Sequence, residues 1–176
     1  MEKLKLILPT MAYADQIMDY KAECRAADSS MDGCGSLRRF DTAEEWLADS
    51  ALYTDPATLP EGKVLATQFI TVRELDDKLV GMLQVRHYLN DYLEQFGGHI
   101  GYSVRPSERR KGYATEQLRQ ALLWCKEELG LDKVLITCLT DNEGSRRTIL
   151  KCGGVYESTI HEPDMNVDLE RYWITL

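Results

Sequence analysis

Residues 98 to 118 of the chain read GHIGYSVRPSERRKGYATEQL. The β-forming run His99 to Val104 predicts a strand, and Pro106 ends it because proline has no N–H for a sheet. A helix is predicted to begin near Tyr113 to Thr115. Gly112, just before it, permits a tight turn and a close approach of the main chain to a ligand. The segment is therefore predicted to form a strand, a turn and a helix in direct succession.

The turn has the features of an anion-binding site. Free N–H groups at a helix start converge on one point, and the helix dipole favours negative charge there. The Thr115 hydroxyl can donate one more hydrogen bond. The turn lacks the G-x-x-x-x-G-K-[ST] pattern of a nucleotide P-loop and the glycine spacing of a dinucleotide fold. We expect main-chain amides to bind a pyrophosphate here, assisted by the cations Arg105, Arg109, Arg110 and Lys111. The alternative is a solvated turn, since the charge pattern alone does not separate the two.

Residues 109 to 114 read RRKGYA, which matches the [RQ]-x-x-G-x-[GA] signature of the GNAT superfamily of N-acetyltransferases. Members of that superfamily bind acetyl-CoA at this turn. The chain also resembles the superfamily in a second element, the apolar strand Val134 to Leu139 followed by Asn142, Ser145 and Gly153-Gly154. The resemblance covers about residues 64 to 176, and more loosely the N-terminal helices. It assigns CoA binding to Ser103, Val104, Arg109, Arg110, Lys111, Gly112, Tyr113, Ala114, Thr115, Asn142 and Ser145.

The resemblance implies one domain over residues 1–176 with an α/β (α+β) fold. It implies a mixed, mostly antiparallel central sheet of about seven strands flanked by about four helices. It also implies that the pantetheine lies between two splayed strands, bonded to main-chain groups of Ser103 and Val104. Hydrophobic periodicity agrees with this architecture. It predicts strands at Lys3–Leu8, Ala66–Leu75, Lys78–Tyr88, His99–Val104, Val134–Leu139, Val155–Ile160 and Arg171–Leu176, and helices at Ala12–Ala27, after Asp41 or Thr42, at Thr115–Leu129 and from an Asp141 cap to Lys151.

Acetyl transfer requires a neutral amine, a site for the oxyanion and an acid for the departing thiolate. A main-chain N–H of the splayed strand is the candidate for the oxyanion. Many superfamily members use a tyrosine of the last helix as the acid, but that position here is Ile149. Other residues are therefore candidates: His99 as base, Tyr102 and Ser145 as acids, and His87, Asp91 and Glu94 as acceptor-binding residues. The alternatives are that the histidines are structural, that the loop acids are solvated, and that water mediates proton transfer.

Composition limits the possible partners. A net charge of −8 argues against general nucleic-acid binding. No apolar run approaches membrane-spanning length, so we expect no membrane association and a cytoplasmic location. Five scattered cysteines suggest neither a metal site nor a disulfide framework. The expected reaction partners are acetyl-CoA, or alternatively another acyl-CoA, and an amine on a small molecule or peptide. Edge strands near the C-terminus favour a homodimer. A catalytically silent acyl-CoA-binding module is the alternative, while the missing phosphate-loop lysine disfavours a nucleotide-binding regulatory domain.

Overall fold

The computed structural model describes residues 2–176, over which the chain forms seven strands and four α-helices. None of the helices in this range is long and apolar enough to cross a membrane. The strands are Leu4–Ile7 (β1), Ala66–Arg73 (β2), Lys78–Arg86 (β3), Ile100–Val104 (β4), Lys133–Leu139 (β5), Val155–Glu162 (β6) and Val167–Thr175 (β7). The helices are Ala14–Ala26 (α1), Ala43–Ala51 (α2), Tyr113–Leu129 (α3) and Glu143–Lys151 (α4).

The strands form two sheets, and this confirms the predicted α/β (α+β) class. One sheet has the order β1-β2-β3-β4 and the other β5-β7-β6, with antiparallel pairing between neighbours. β7 starts at Val167, earlier than the predicted Arg171, because its polar first half pairs with β6 from Val167↔Glu162 onward. Cross-strand pairing outweighs the weak hydrophobic pattern of that half.

Side-chain caps start two of the helices. Thr42 begins α2, as predicted, through a capping box in which Thr42 and Glu45 satisfy each other's main-chain N–H groups. The predicted cap of α4 was wrong by one residue. Asn142 is the N-cap, because its Oδ1 accepts a hydrogen bond from the Ser145 N–H at 3.0 Å, whereas Asp141 lies outside the helix.

The four-stranded sheet has helices on both faces. Ile17 of α1 and Trp46 of α2 are fully buried in one hydrophobic cluster, together with Met82 of β3. Leu118 of α3 belongs to the cluster on the opposite face, which includes Ile136 of β5 and so continues beneath the second sheet. α3 therefore spans the junction of the two sheets.

The loop between α1 and α2 is fixed directly on β4. Gly33 has φ +74°, and a Cβ there would lie 2.3 Å from the Gly101 carbonyl oxygen. One residue before it, the Asp32 carbonyl accepts a hydrogen bond from Ser103 Oγ at 2.6 Å. Ser103 Oγ in turn accepts one from the buried Tyr20 hydroxyl at 2.8 Å. The loop therefore covers this face of β4 at Gly101 and Ser103.

Replacing Gly33 by alanine should destabilise the fold strongly, because the substitution adds a main-chain clash to backbone strain. The matched control is Gly62→Ala, since Gly62 has the same φ of +74° but open space around it. We expect a loss in the free energy of unfolding of about 3 kcal/mol for Gly33→Ala and about 1 kcal/mol for Gly62→Ala, measured by urea denaturation. Equal losses would contradict the close packing of the loop on β4.

Candidate functional site

The turn between β4 and α3 exposes unused main-chain donors at the helix start. Gly112 is the N-cap of α3 with φ +85°, and Arg110 also has a positive φ of 64°. The first hydrogen bond of the helix runs from the Glu116 N–H to the Gly112 carbonyl at 3.2 Å. The N–H groups of Tyr113, Ala114 and Thr115 are therefore not used within the helix. This is the arrangement that binds phosphate groups at a helix N-terminus.

Protein partners hold most of the cations in the turn. Arg105 is buried, and its Nε lies 2.9 Å from Glu23 Oε2. The two groups form an ion pair without the geometry of a hydrogen bond. Arg109 Nε donates to the Val104 carbonyl at 3.0 Å, and Lys111 Nζ lies 2.6 Å from a carboxylate oxygen of Glu108. Arg110 is exposed. Three of the four cations in the predicted basic patch are thus held by contacts within the protein.

Glu108 is the centre of those ion pairs. It is 4% exposed and accepts hydrogen bonds from Arg73 at 3.0 Å, Lys78 at 2.6 Å and Lys111 at 2.6 Å. Burial by itself raises the pKa of this carboxyl group. The hydrogen bonds from Lys111 and Lys78 and the charge of Arg73 outweigh burial and lower the pKa to about 2. Glu108 therefore ties the turn to β2 and β3.

β4 and β5 meet at one point. The His99 N–H donates to the Leu135 carbonyl at 2.7 Å, and the Leu135 N–H donates back to His99 Nδ1 at 2.9 Å. Within residues 2–176 no further main-chain hydrogen bond joins the two strands, which belong to different sheets. The strands therefore leave a gap beyond this point, adjoining the start of α3.

The alternation of β4 decides which main-chain groups face that gap. The Arg86 N–H bonds to the His99 carbonyl and the Arg105 N–H bonds to the Val80 carbonyl, so odd-numbered residues direct their main chain toward β3. Antiparallel pairing then directs the main-chain groups of Ile100, Tyr102 and Val104 away from β3 and toward the gap.

The main-chain carbonyls of Ser103 and Val104, which were predicted to bind CoA, already accept hydrogen bonds from the protein. The Ser103 carbonyl already accepts a hydrogen bond from Gln117 Nε2 at 3.2 Å, and the Val104 carbonyl accepts one from Arg109. Their roles in CoA binding stay predictions. The Tyr102 N–H is a further candidate on this strand, because alternation directs it into the gap.

Tyr102 and Ser145, the two candidate acids, lie together across the gap. The Tyr102 hydroxyl is 2.9 Å from Ser145 Oγ, and it also donates to the Ser145 carbonyl at 3.3 Å. Burial raises the pKa of Tyr102 well above its ordinary value, so the phenol is neutral at neutral pH. Ile149, one turn beyond Ser145, is fully buried in the core. The phenol at this site therefore belongs to Tyr102 of β4. α4 has Ile149 at the position where many superfamily members have a tyrosine.

His99 has a structural position. Its Nδ1 accepts the Leu135 N–H, so the neutral ring carries its proton on Nε2. Burial lowers the pKa of His99 to about 4. Neither ring nitrogen of the neutral form is then free to take a proton. The geometry gives no support to the prediction of His99 as a base.

The three predicted acceptor-binding residues have different surroundings. His87 Nε2 is 2.8 Å from Thr67 Oγ1, and the ring packs 6.1 Å from that of Trp124 on the α3 side of the sheet. Asp91 and Glu94 are exposed on a helical turn where a loop had been predicted. Their acceptor-binding role stays a prediction.

Two polar residues on the α1–α2 face of the sheet, Gln68 and Arg86, were not among the candidates predicted from the sequence. Gln68 Oε1 is buried without a hydrogen-bond partner, and a Cβ at Gly35 would lie 3.2 Å from it. Arg86 donates from Nη1 to the carbonyls of Gly97 and Gly98 at 3.1 and 3.2 Å. The available signal was a glutamine at the start of the apolar run QFITV and two polar residues at alternate positions of LQVR.

Comparisons with known proteins agree with this arrangement. A family model described as an acetyltransferase (GNAT) domain matches residues 6–155, which extends into the N-terminal helices. The chain is 33% identical over 63 residues to the uncharacterised N-acetyltransferase YoaA of Bacillus subtilis (strain 168), a match that covers 36% of each chain. The chain thus aligns with about a third of that relative's length.

Two solved structures share the fold over nearly the whole chain. The ribosomal-protein-S5-alanine acetyltransferase from Vibrio fischeri has a TM-score of 0.75 at 17% identity, covering 99% of this chain and 94% of the other. RimL, a ribosomal L7/L12 alpha-N-protein acetyltransferase in complex with coenzyme A, has a TM-score of 0.74 at 13% identity, covering 98% and 94%.

The strand–turn–helix, the two-sheet fold and the extent of the family match define one class of protein. The chain belongs to the GNAT acetyltransferase family, which is a family of acyltransferases.

The Glu108 cluster should make stability depend on acid. The folded pKa of about 2 lies below the ordinary value of 4.5, so this stabilisation is complete above pH 4.5 and is lost as the pH falls toward 2. Because the lysines are partly exposed, we expect Glu108→Gln to cost about 2 kcal/mol at pH 7 and to flatten that pH dependence. Urea denaturation from pH 7 to pH 3 measures both.

The control for Glu108→Gln is Glu143→Gln, which breaks the exposed pair with Arg147. It should cost less than about 0.5 kcal/mol. Equal losses for the two variants would show that the Glu108 cluster does not stabilise the turn.

Proposed function

We propose that this protein transfers an acetyl group from acetyl-CoA to a primary amine of a small molecule or peptide, by direct attack in a ternary complex. The observation that carries the proposal is the position of the free N–H groups at the start of α3. They adjoin the gap where β4 and β5 separate. One end of this site fits a pyrophosphate and the other is open along a strand edge.

The residues present fit acetyl-CoA at both ends. The N–H groups of Tyr113, Ala114 and Thr115, with exposed Arg110, would hold the pyrophosphate. The pantetheine would lie along β4, where the main-chain groups of Tyr102 and Val104 face the gap. Asn142 and Ser145, on the opposite side, start α4. Acetyl-CoA supplies the thioester whose carbonyl the amine attacks.

Among the candidate catalytic residues, the geometry supports a proton donor, Tyr102, more than a proton acceptor, His99. The neutral Tyr102 phenol, bonded to Ser145, can give a proton to the departing thiolate. The Tyr102 main-chain N–H is the candidate donor for the oxyanion. His99 is held neutral with its Nδ1 occupied. The amine would therefore lose its proton to water rather than to His99.

A catalytically silent acyl-CoA-binding module is the second candidate. The observation that favours it is Ile149, a buried core residue where many members of the family have the acidic tyrosine. Calorimetry with acetyl-CoA and thiol release with a panel of amines separate the two. Binding with no turnover on any amine would favour the silent module, and no binding at all would contradict both.

Replacing Gly112 by valine should abolish CoA binding. The valine is strained at φ +85° and brings a branched side chain to the phosphate turn. The matched control is Gly130→Val, since Gly130 ends the same helix with φ +64° and has open space around it. We expect the Kd for CoA to rise at least about a hundredfold for Gly112→Val alone, measured by calorimetry. Equal weakening by both variants would contradict the placement of the phosphates.

Removing the Tyr102 hydroxyl should slow turnover and leave CoA binding intact. If Tyr102 is the acid, Tyr102→Phe should lower kcat about tenfold to a hundredfold, with little change in the Kd for acetyl-CoA. Tyr156→Phe is the control, because Tyr156 makes a similar 2.9 Å hydroxyl contact with Thr159 at an exposed site. An unchanged kcat in the Tyr102 variant would remove it as the acid and leave water in that role.

A further inference from the structure

A cleft of about 540 Å³ opens between the loop that follows α1 and the segment that follows α2. Arg38 and Arg39 lie on the first side, and Tyr53 and Lys63 on the second. Asp32 is the only carboxylate among the residues that line the cleft within the described chain. The cleft therefore combines three cations with one acid, in a chain whose net charge is −8.

The three cations line the cleft, and Arg38 Nη2 also donates a hydrogen bond to the Ser29 carbonyl at 3.4 Å. Arg38, Arg39 and Lys63 are exposed, and within residues 2–176 none has a carboxylate within 4.0 Å. The Asp32 carboxylate accepts a hydrogen bond from the Ser30 hydroxyl at 2.8 Å. A concave surface lined by charge of one sign raises the local concentration of ligands of the opposite sign.

The cleft adjoins β4. The loop that carries Asp32 on the cleft wall has its next residue, Gly33, packed on Gly101, and the Asp32 carbonyl accepts the Ser103 hydroxyl. A ligand in the cleft is thus separated from β4 by this loop alone. The proposed function places the acetyl group on that strand.

Arg86 continues the positive charge along the same face of β4. Its Nη2 would lie 3.8 Å from a Cβ on Gly101. It has no carboxylate within 4.0 Å in the described chain, although the Asp32 charge acts on it and partly offsets the lowering of its pKa by burial. Cationic side chains therefore lie both in the cleft and on the same face of β4.

The number and placement of the cations select the ligand. A single carboxylate is satisfied by one bidentate arginine, whereas this cleft offers cations on two separate segments. A polyamine or a basic peptide would be repelled. We propose that the cleft binds the side-chain carboxylates of an acidic peptide segment that lies next to the amine to be acetylated. This substrate assignment rests on the proposed function.

Peptide binding can be measured without turnover. The probe is a fluorescent glutamate-rich peptide whose N-terminus is blocked, with a glutamine-rich peptide of the same length for comparison, and the readout is anisotropy. We expect R38E/R39E to raise the Kd for the glutamate-rich peptide about tenfold and K63E about threefold. The matched control is R119E/K126E, a double reversal of two exposed residues on α3, which should change the Kd less than about twofold.

Steady-state kinetics test the link to the reaction. With the glutamate-rich peptide carrying a free N-terminus, R38E/R39E should raise KM about tenfold. With the glutamine-rich peptide carrying a free N-terminus, the same variant should leave kcat unchanged. If thiol release is absent with every amine but the blocked peptide binds as expected, the proposed function fails and the acidic-peptide site stands.

Three results would overturn the inference. The first is equal affinity for the glutamate-rich and glutamine-rich peptides. The second is an unchanged Kd in R38E/R39E, whose native fold circular dichroism would verify. The third is displacement of the peptide by free glutamate at the peptide's own Kd, which would indicate a site for a single small carboxylate.

Discussion

The site depends on the contact between His99 and Leu135. The two residues exchange hydrogen bonds, but one acceptor is the His99 ring nitrogen rather than a main-chain carbonyl. A ladder can continue only if main-chain groups face each other, so the pairing stops here. Gly98 makes the contact possible, because a Cβ there would lie 2.6 Å from the Leu135 carbonyl. The gap between β4 and β5 opens from this one point of attachment.

β4 is held from three sides, which keeps its free edge in place. Gly33 and the Tyr20–Ser103 hydrogen bond fix the loop on one face, and the Tyr102 hydroxyl reaches α4 on the other. At its end, the Glu108 ion pairs tie the turn to β2 and β3. A site whose dipoles are fixed before the ligand arrives loses little energy to reorganisation when charge develops.

The buried charges show which features of the site could not be predicted from the sequence. The run of cations at 105 to 111 was visible, but four charges in sequence do not reveal which are already paired. Arg105 meets Glu23 and Glu108 meets Lys78 only because α1 and β3 pack beside the turn. The same holds for His99, because the sequence did not reveal that its Nδ1 accepts the Leu135 N–H. The cationic cleft joins two segments that neither periodicity nor motif connects.

From the sequence alone we could predict the order of strands and helices, the class of the fold and the place of the turn that precedes α3. These depend on local features, such as the period of apolar residues, a proline that ends a strand and a glycine that starts a helix. The packing of the elements in three dimensions was needed to show which cations remain unpaired, that Tyr102 meets Ser145, and that Asn142 rather than Asp141 caps α4. The first two are contacts between residues distant in the chain, and their energies depend on burial. The third depends on which of two neighbouring side chains can reach a free N–H.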